Sequence, residues 1–262
     1  MKATYLINIG FESIKFVLKN NKQFFKLALL PTIISVAALA LWDVLTADVD
    51  AYSPFDTVVD LISFFILLPF NVVWIKFILN KQKSFRYRDS LVWDSVCLQY
   101  LVQSIKITSL RVLYYLVGAL AFWLLGVKFQ IGYFMIFPIL GFLLLGTVLM
   151  RASLIVPACV DGKKLSIKSA LSKTKNLTIP LLLLDITFTI SLFVAILIIT
   201  LPAVPAIVFG LHAKVSYISF IGSLVGIALC LFLLLTFYLA VVSGYSALLY
   251  RKLIKNKGSG EL

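Results

Sequence analysis

Acidic charge is scarce in this chain, with 11 Asp and Glu among 262 residues against 24 Lys and Arg. Charged residues of both signs make up 13%, where a soluble domain carries about a quarter. Hydrophobic residues fill 61%, and the mean hydropathy is +1.05. So much apolar surface cannot all turn inward, which argues against an ordinary soluble domain and makes lipid the expected solvent. Histidine is reduced to His212, in a connection after Gly210, where a solvated or capping role is expected. The three cysteines, Cys97, Cys159 and Cys230, are odd in number and widely spaced. They form neither a disulfide framework nor a zinc pattern and read as small apolar packing residues. There is no H-E-x-x-H, G-x-S-x-G, P-loop or G-x-G-x-x-G stretch. The reading is therefore non-enzymatic: no catalytic residue, no metal site and no cofactor is assigned.

What the chain does have is long apolar runs. They lie near Phe24–Leu45, Phe55–Leu79, Ile107–Leu125, Phe129–Val156, Leu177–Leu201 and Ser216–Tyr250. Each approaches or exceeds the roughly 20 residues that a helix needs to cross about 30 Å of hydrocarbon. The predicted fold is all-α, a bundle of six transmembrane helices forming one integral membrane domain over 1–257. The last residues, GSGEL at 258–262, read as a linker or tail.

The basic residues report the orientation. Of the 24 Lys and Arg, 22 fall on the two termini and the second and fourth connections, while Lys128 and Lys214 alone fall on the other side. The first connection, TADVDAYSPFD, is acidic. Basic residues stay cytoplasmic, so the expectation is a multi-pass protein of the bacterial inner membrane with both termini inside. Its net charge of +13 is then topology plus attraction to anionic headgroups, and nucleic acid is not expected as a partner. The first twenty residues do not read as a signal peptide, because Glu12 and five lysines precede or enter the first apolar run.

Two cytoplasmic stretches carry helical periodicity with lysines opposite the apolar face. In SIKSALSKTKN, Ile167, Ala170, Leu171 and Thr174 follow the i, i+3, i+4, i+7 spacing, and Lys168, Lys173 and Lys175 lie largely elsewhere. In FESIKFVLKNNKQFF, Phe11, Ile14, Val17 and Leu18 share one face, with Glu12, Lys15, Lys19 and Lys22 on the other. Such helices lie in the membrane interface. Ser13-Ile14-Lys15 can be laid on Ser166-Ile167-Lys168, and Lys22 on Lys175. A weaker third copy runs from Arg88 to Lys106. The chain thus reads as three parallel repeats, 1–80, 81–157 and 158–257, each an interfacial helix followed by a helical hairpin. The lysines just named, with Arg86, Arg88, Lys163 and Lys164, are the candidate lipid-binding residues.

Within the spans, Asp185 is the most informative residue, since a charge at a span centre costs about 2.5 to 3.5 kcal/mol on insertion scales. It needs a partner or water. Arg111, Arg151 and Asn71 are the candidates to share a polar intramembrane site with it, and a small transporter or channel is the alternative reading. Gly222 and Gly226 form a GxxxG pair that suggests a close helix contact, within the bundle or in a homo-oligomer.

From Arg151 to Asn176 a span ends in an arginine, passes a proline at Pro157, turns at Asp161-Gly162 and enters an amphipathic helix through Ala170-Leu171 to Thr174-Lys175. This pattern resembles the bacterial YciC-like integral membrane proteins and the membrane domain attached to some glycerophosphodiester phosphodiesterases. The resemblance implies a bacterial inner-membrane protein of six spans. It does not imply phosphodiesterase activity, which belongs to a separate soluble domain in that family. The functional expectation is binding or handling of anionic lipids, or organisation of the envelope.

Overall fold

The computed structural model describes residues 3–45, 56–80, 85–109, 113, 116, 151–200 and 217–255. Among them every regular element is helical and none is a strand. In chain order the helices are α1 (Ala3–Lys19), α2 (Asn21–Leu45), α3 (Asp56–Asn80), α4 (residues 95–109), α5 (Ile155–Val160), α6 (Ile167–Lys173), α7 (Thr178–Thr200) and α8 (Tyr217–Tyr250). A 3₁₀ turn at Tyr87–Leu91 precedes α4, and a π-helical turn at Arg251–Lys255 extends α8.

The expected apolar runs at Phe24–Leu45, Phe55–Leu79, Leu177–Leu201 and Ser216–Tyr250 coincide with α2, α3, α7 and α8 to within a few residues. Among the described residues two helical stretches are long and apolar enough to cross a membrane, Ile62–Asn80 and Ala228–Ile254, each with a mean hydropathy of 2.1. They differ in surroundings. The first is 72% buried by its neighbours and the second only 28%, so α3 is a central helix and α8 exposes much of its apolar surface. The runs Ile107–Leu125 and Phe129–Val156 lie mostly outside the described residues.

Other helices also leave apolar stripes uncovered. On α2, Phe25, Leu29, Ile33 and Leu41 point outward at helical spacing, while Phe24, Leu27, Ala28, Thr32, Ser35 and Val36 are buried. On α7, Ile179, Leu183, Ile190, Phe193 and Ile198 are exposed. Contiguous exposed apolar surface of this kind marks a membrane or partner-facing side.

The chain forms two compact units, Ser13–Trp93 with Phe188–Gly244, and Met1–Glu12 with Asp94–Thr187 and Tyr245–Leu262. The first of these centres on Trp74 of α3. Its ring meets Phe16, Phe24, Phe70 and Phe77 at centroid distances of 5.5 to 6.3 Å, and its Nε1–H donates to the Ala240 carbonyl at 3.0 Å. Small and polar residues then join the helices. Ser13 Oγ donates to the Val241 carbonyl at 2.7 Å, Ser243 Oγ donates to Asn71 Oδ1 at 3.1 Å, and the hydroxyls of Thr32 and Thr236 lie 3.1 Å apart. Where apolar burial distinguishes helices poorly, as in lipid, close approach and such bonds supply the specificity. The helices α2 and α3 run on through Pro31 and Pro69.

The other unit has a small core of Ile107, Ala152, Ile155 and Ala170, with Leu165 and Ile167 against it. Its connection from α5 to α6 is built by standard terminal chemistry. Gly162 sits at φ 75°, its N–H donates to the Cys159 carbonyl at 3.0 Å, and the Lys163 N–H donates to the Ala158 carbonyl at 2.8 Å. This is a Schellman ending, which needs a left-handed residue and therefore favours glycine. Ser166 then caps α6, its Oγ accepting the Ser169 N–H at 3.2 Å.

Candidate functional site

The basic residues singled out from the sequence fall at helix surfaces and turns. Lys15 and Lys19 on α1, Lys22 at the start of α2, Arg86 and Arg88 around the 3₁₀ turn, and Lys163, Lys164, Lys168, Lys173 and Lys175 around α6 are all exposed. In the Trp74 unit, Lys26 Nζ sits 5.7 Å from the centre of the Tyr87 ring, a cation–π contact.

The α1 helix divides its surface three ways. Leu6, Ile9, Gly10, Ser13 and Val17 are buried. Roughly a third of a turn away, at about 100° per residue, Ile7, Phe11 and Leu18 form an exposed apolar stripe. Phe11 is 59% exposed and Leu18 58%. The remaining third carries Asn8, Glu12, Lys15 and Lys19, all exposed. The apolar face expected from the sequence, Phe11-Ile14-Val17-Leu18, is therefore split: Val17 packs inward and Phe11 and Leu18 stay uncovered. The helix also ends at Lys19, and Asn20 forms a turn, so Lys22 belongs to α2.

On α6 the expected line of Ile167, Ala170, Leu171 and Thr174 is the covered side, with Ala170 and Thr174 fully buried. The superposed positions of the two stretches agree in part. Val17 and Ala170 are both buried, as are Phe24 and Leu177, but Ser13 is a buried mid-helix donor whereas Ser166 is an exposed cap.

Of the four residues considered for a polar intramembrane site, Asn71 and Arg151 have described side chains. Asn71 is buried in α3 and accepts the Ser243 hydroxyl. Arg151, in the other unit, donates from Nε to Thr174 Oγ1 at 3.0 Å and from Nη2 to the Leu171 carbonyl. It thereby satisfies the C-terminal end of α6, where carbonyls lack intrahelical partners. Arg111 and the side chain of Asp185 lie outside the described residues, as do His212 and the placement of Gly222 beyond its backbone. Gly226 is exposed, and a Cβ added there would meet nothing within 4 Å. Gly244, also in α8, is closely approached: an added Cβ would stand 2.6 Å from Ser13 Oγ. Its sequence signal is the small-xxx-small pair Ala240 and Gly244.

The unit containing α4, α5 and α6 also holds a cleft of about 870 Å³ that the sequence did not announce. One wall is α4, through Val96, Leu98 and Val102 with the carboxamides of Gln99 and Gln103. The other is the α5 end and the turn, through Ile155, Cys159, Val160 and Leu165. Lys163, Lys164 and Ser166 stand at its rim. Burial pushes the Cys159 thiol up from its ordinary pKa, and its sulfur lies 3.8 Å from Gln99 Oε1. Asp161, in the turn, accepts the Tyr250 hydroxyl at 3.0 Å, with Lys163 Nζ 3.9 Å away, which ties the turn to the end of α8. Gln99 and Gln103, four apart on α4, share one face of that helix.

Among the described residues no group of three or more His, Cys, Asp or Glu lies together. Comparison of the chain with family models, with curated proteins and with solved structures finds no match.

Proposed function

We propose that this chain is a non-enzymatic, six-span protein of the bacterial inner membrane, of the YciC-like kind, with both termini cytoplasmic. Its basic interfacial helices form a cytoplasmic collar that binds or handles anionic lipids. The observation that carries this reading is the three-way division of α1. One face packs into the protein, one exposes Phe11 and Leu18, and one carries Lys15 and Lys19. A helix at a water interface needs two faces; one lying between protein, hydrocarbon and headgroups needs three. The exposed lysines of α6 and the exposed Arg86 and Arg88 around the 3₁₀ turn supply the same charge at two further cytoplasmic segments.

The test is mass spectrometry of lipids that co-purify with the detergent-extracted protein, compared with the bulk membrane extract. Enrichment of an anionic phospholipid is expected, and Lys15→Glu with Lys19→Glu should reduce it. A basic residue near an anionic surface contributes about 1 kcal/mol. A co-purified profile identical to bulk, in the wild type, would overturn the reading.

A further inference from the structure

Resting on that reading, we propose that the cleft between α4 and the α5–α6 turn is a specific site for one anionic phospholipid of the inner leaflet. Its phosphate meets Lys163 and Lys164, and its acyl chain lies along Val102, Ile155, Val160 and Leu165. The cleft has the two-part lining that such a ligand demands. Two neighbouring exposed lysines and the exposed Ser166 share the lining with the apolar side chains of α4 and α5. Gln99 and Gln103 lie on the α4 wall and can donate to glycerol oxygens or ester carbonyls. A volume of about 870 Å³ falls within the range of about 300 to 1,000 Å³ typical of small-molecule sites.

Charge and position favour a membrane lipid over a soluble anion. The polar lining residues Gln99, Gln103, Lys163, Lys164 and Ser166 belong to the connections read as cytoplasmic, and Ile155 to the end of the adjoining apolar run, so the rim lies at the inner headgroup level. The outer α4 residues Leu98 and Val102 are exposed, which leaves an apolar approach from the side. A soluble anion would be served by the rim alone, and the apolar walls would remain wet.

The built-in reporter is Cys159 on the cleft wall; Cys97 is buried. The full chain is placed in nanodiscs of phosphatidylcholine containing increasing phosphatidylglycerol, and alkylation of Cys159 by a small maleimide is followed by peptide mass spectrometry. Phosphatidylglycerol is expected to slow the reaction. Lys163→Gln with Lys164→Gln, both at exposed positions, should raise the fraction needed for half-protection by about twenty-five-fold, two surface lysines weighing about fivefold each. A Cys159 rate indifferent to phosphatidylglycerol overturns the site. Equal protection by soluble glycerol phosphate in phosphatidylcholine discs overturns the membrane source. The co-purification test is separate. Enrichment with an indifferent Cys159 leaves the collar and removes the cleft, whereas protection without enrichment removes the collar.

Discussion

Gly244 offers the sharpest test of how the helices fit. A Cβ built there stands 2.6 Å from Ser13 Oγ, 3.3 Å from Ile78 Cδ1 and 3.8 Å from Ser13 Cβ. The first distance is impossible for real atoms, and the last is ordinary contact. Gly244→Ala therefore forces Ser13 to rotate about χ1 and abandon its 2.7 Å bond to the Val241 carbonyl. The lost bond is worth about 0.5 to 1.5 kcal/mol, and displacing Ile78 slightly adds a fraction of the roughly 1 to 3 kcal/mol typical of overpacking. Gly244→Ala should thus cost about 2 kcal/mol and Ser13→Ala about 1. The two costs share one bond, so they cannot add. In Ser13→Ala/Gly244→Ala the hydroxyl clash is gone and the Ile78 contact is the same as in the single variant, so the double variant should be no less stable than Gly244→Ala alone. The coupling is read from a double-mutant cycle of unfolding in detergent micelles. Additive costs, within about 0.5 kcal/mol, would refute the argument, because Ser13 would then not be the atom that Gly244 accommodates.

The Trp74 centre separates packing from hydrogen bonding: Trp74→Phe should cost about 1 to 2 kcal/mol and Trp74→Ala about 3 to 5, read by the same unfolding assay. Arg151→Lys keeps the charge but cannot reproduce the paired donation to Thr174 and Leu171, so a loss of about 1 to 2 kcal/mol is expected, with proteolytic cleavage near α6 accelerated. Gly162→Ala, at φ 75°, should cost about 1 kcal/mol, and Gly162→Asn less, since Asn tolerates the left-handed region. The raised Cys159 pKa means less thiolate at neutral pH, so its alkylation in phosphatidylcholine should lag an unperturbed thiol there and keep rising at pH values where the unperturbed thiol has levelled off.

Much of the secondary structure was legible because its cause is local. Runs of apolar residues bounded by charge or proline marked α2, α3, α7 and α8 closely, and i, i+3, i+4, i+7 spacing marked α6. The turn after α5 was readable from Asp161-Gly162, since a left-handed helix ending needs glycine. Less legible was which apolar residue of α1 would be covered. Periodicity separates lysine from phenylalanine, but it does not separate Val17, which packs, from Phe11 and Leu18, which do not. Nor does periodicity reveal the partners of Arg151 at Thr174 and Leu171, 20 or more positions along the chain. Outside the GxxxG pair, Gly244 is pressed against another helix, and the residue it meets there, Ser13, is some 230 positions away.

Composition and charge placement alone determine that this is a helical chain with apolar surface suited to lipid, and which connections are basic. Those properties sum over residues and need no partner. The tertiary structure alone decides the rest. Whether a serine is a cap or a buried donor, as with Ser166 and Ser13, depends on the helix that comes to face it. A cleft exists only where two segments some 60 residues apart, such as Gln99 and Cys159, are brought to a common wall. One-dimensional pattern records the periodicity of a single helix, but a contact depends on the geometry of two.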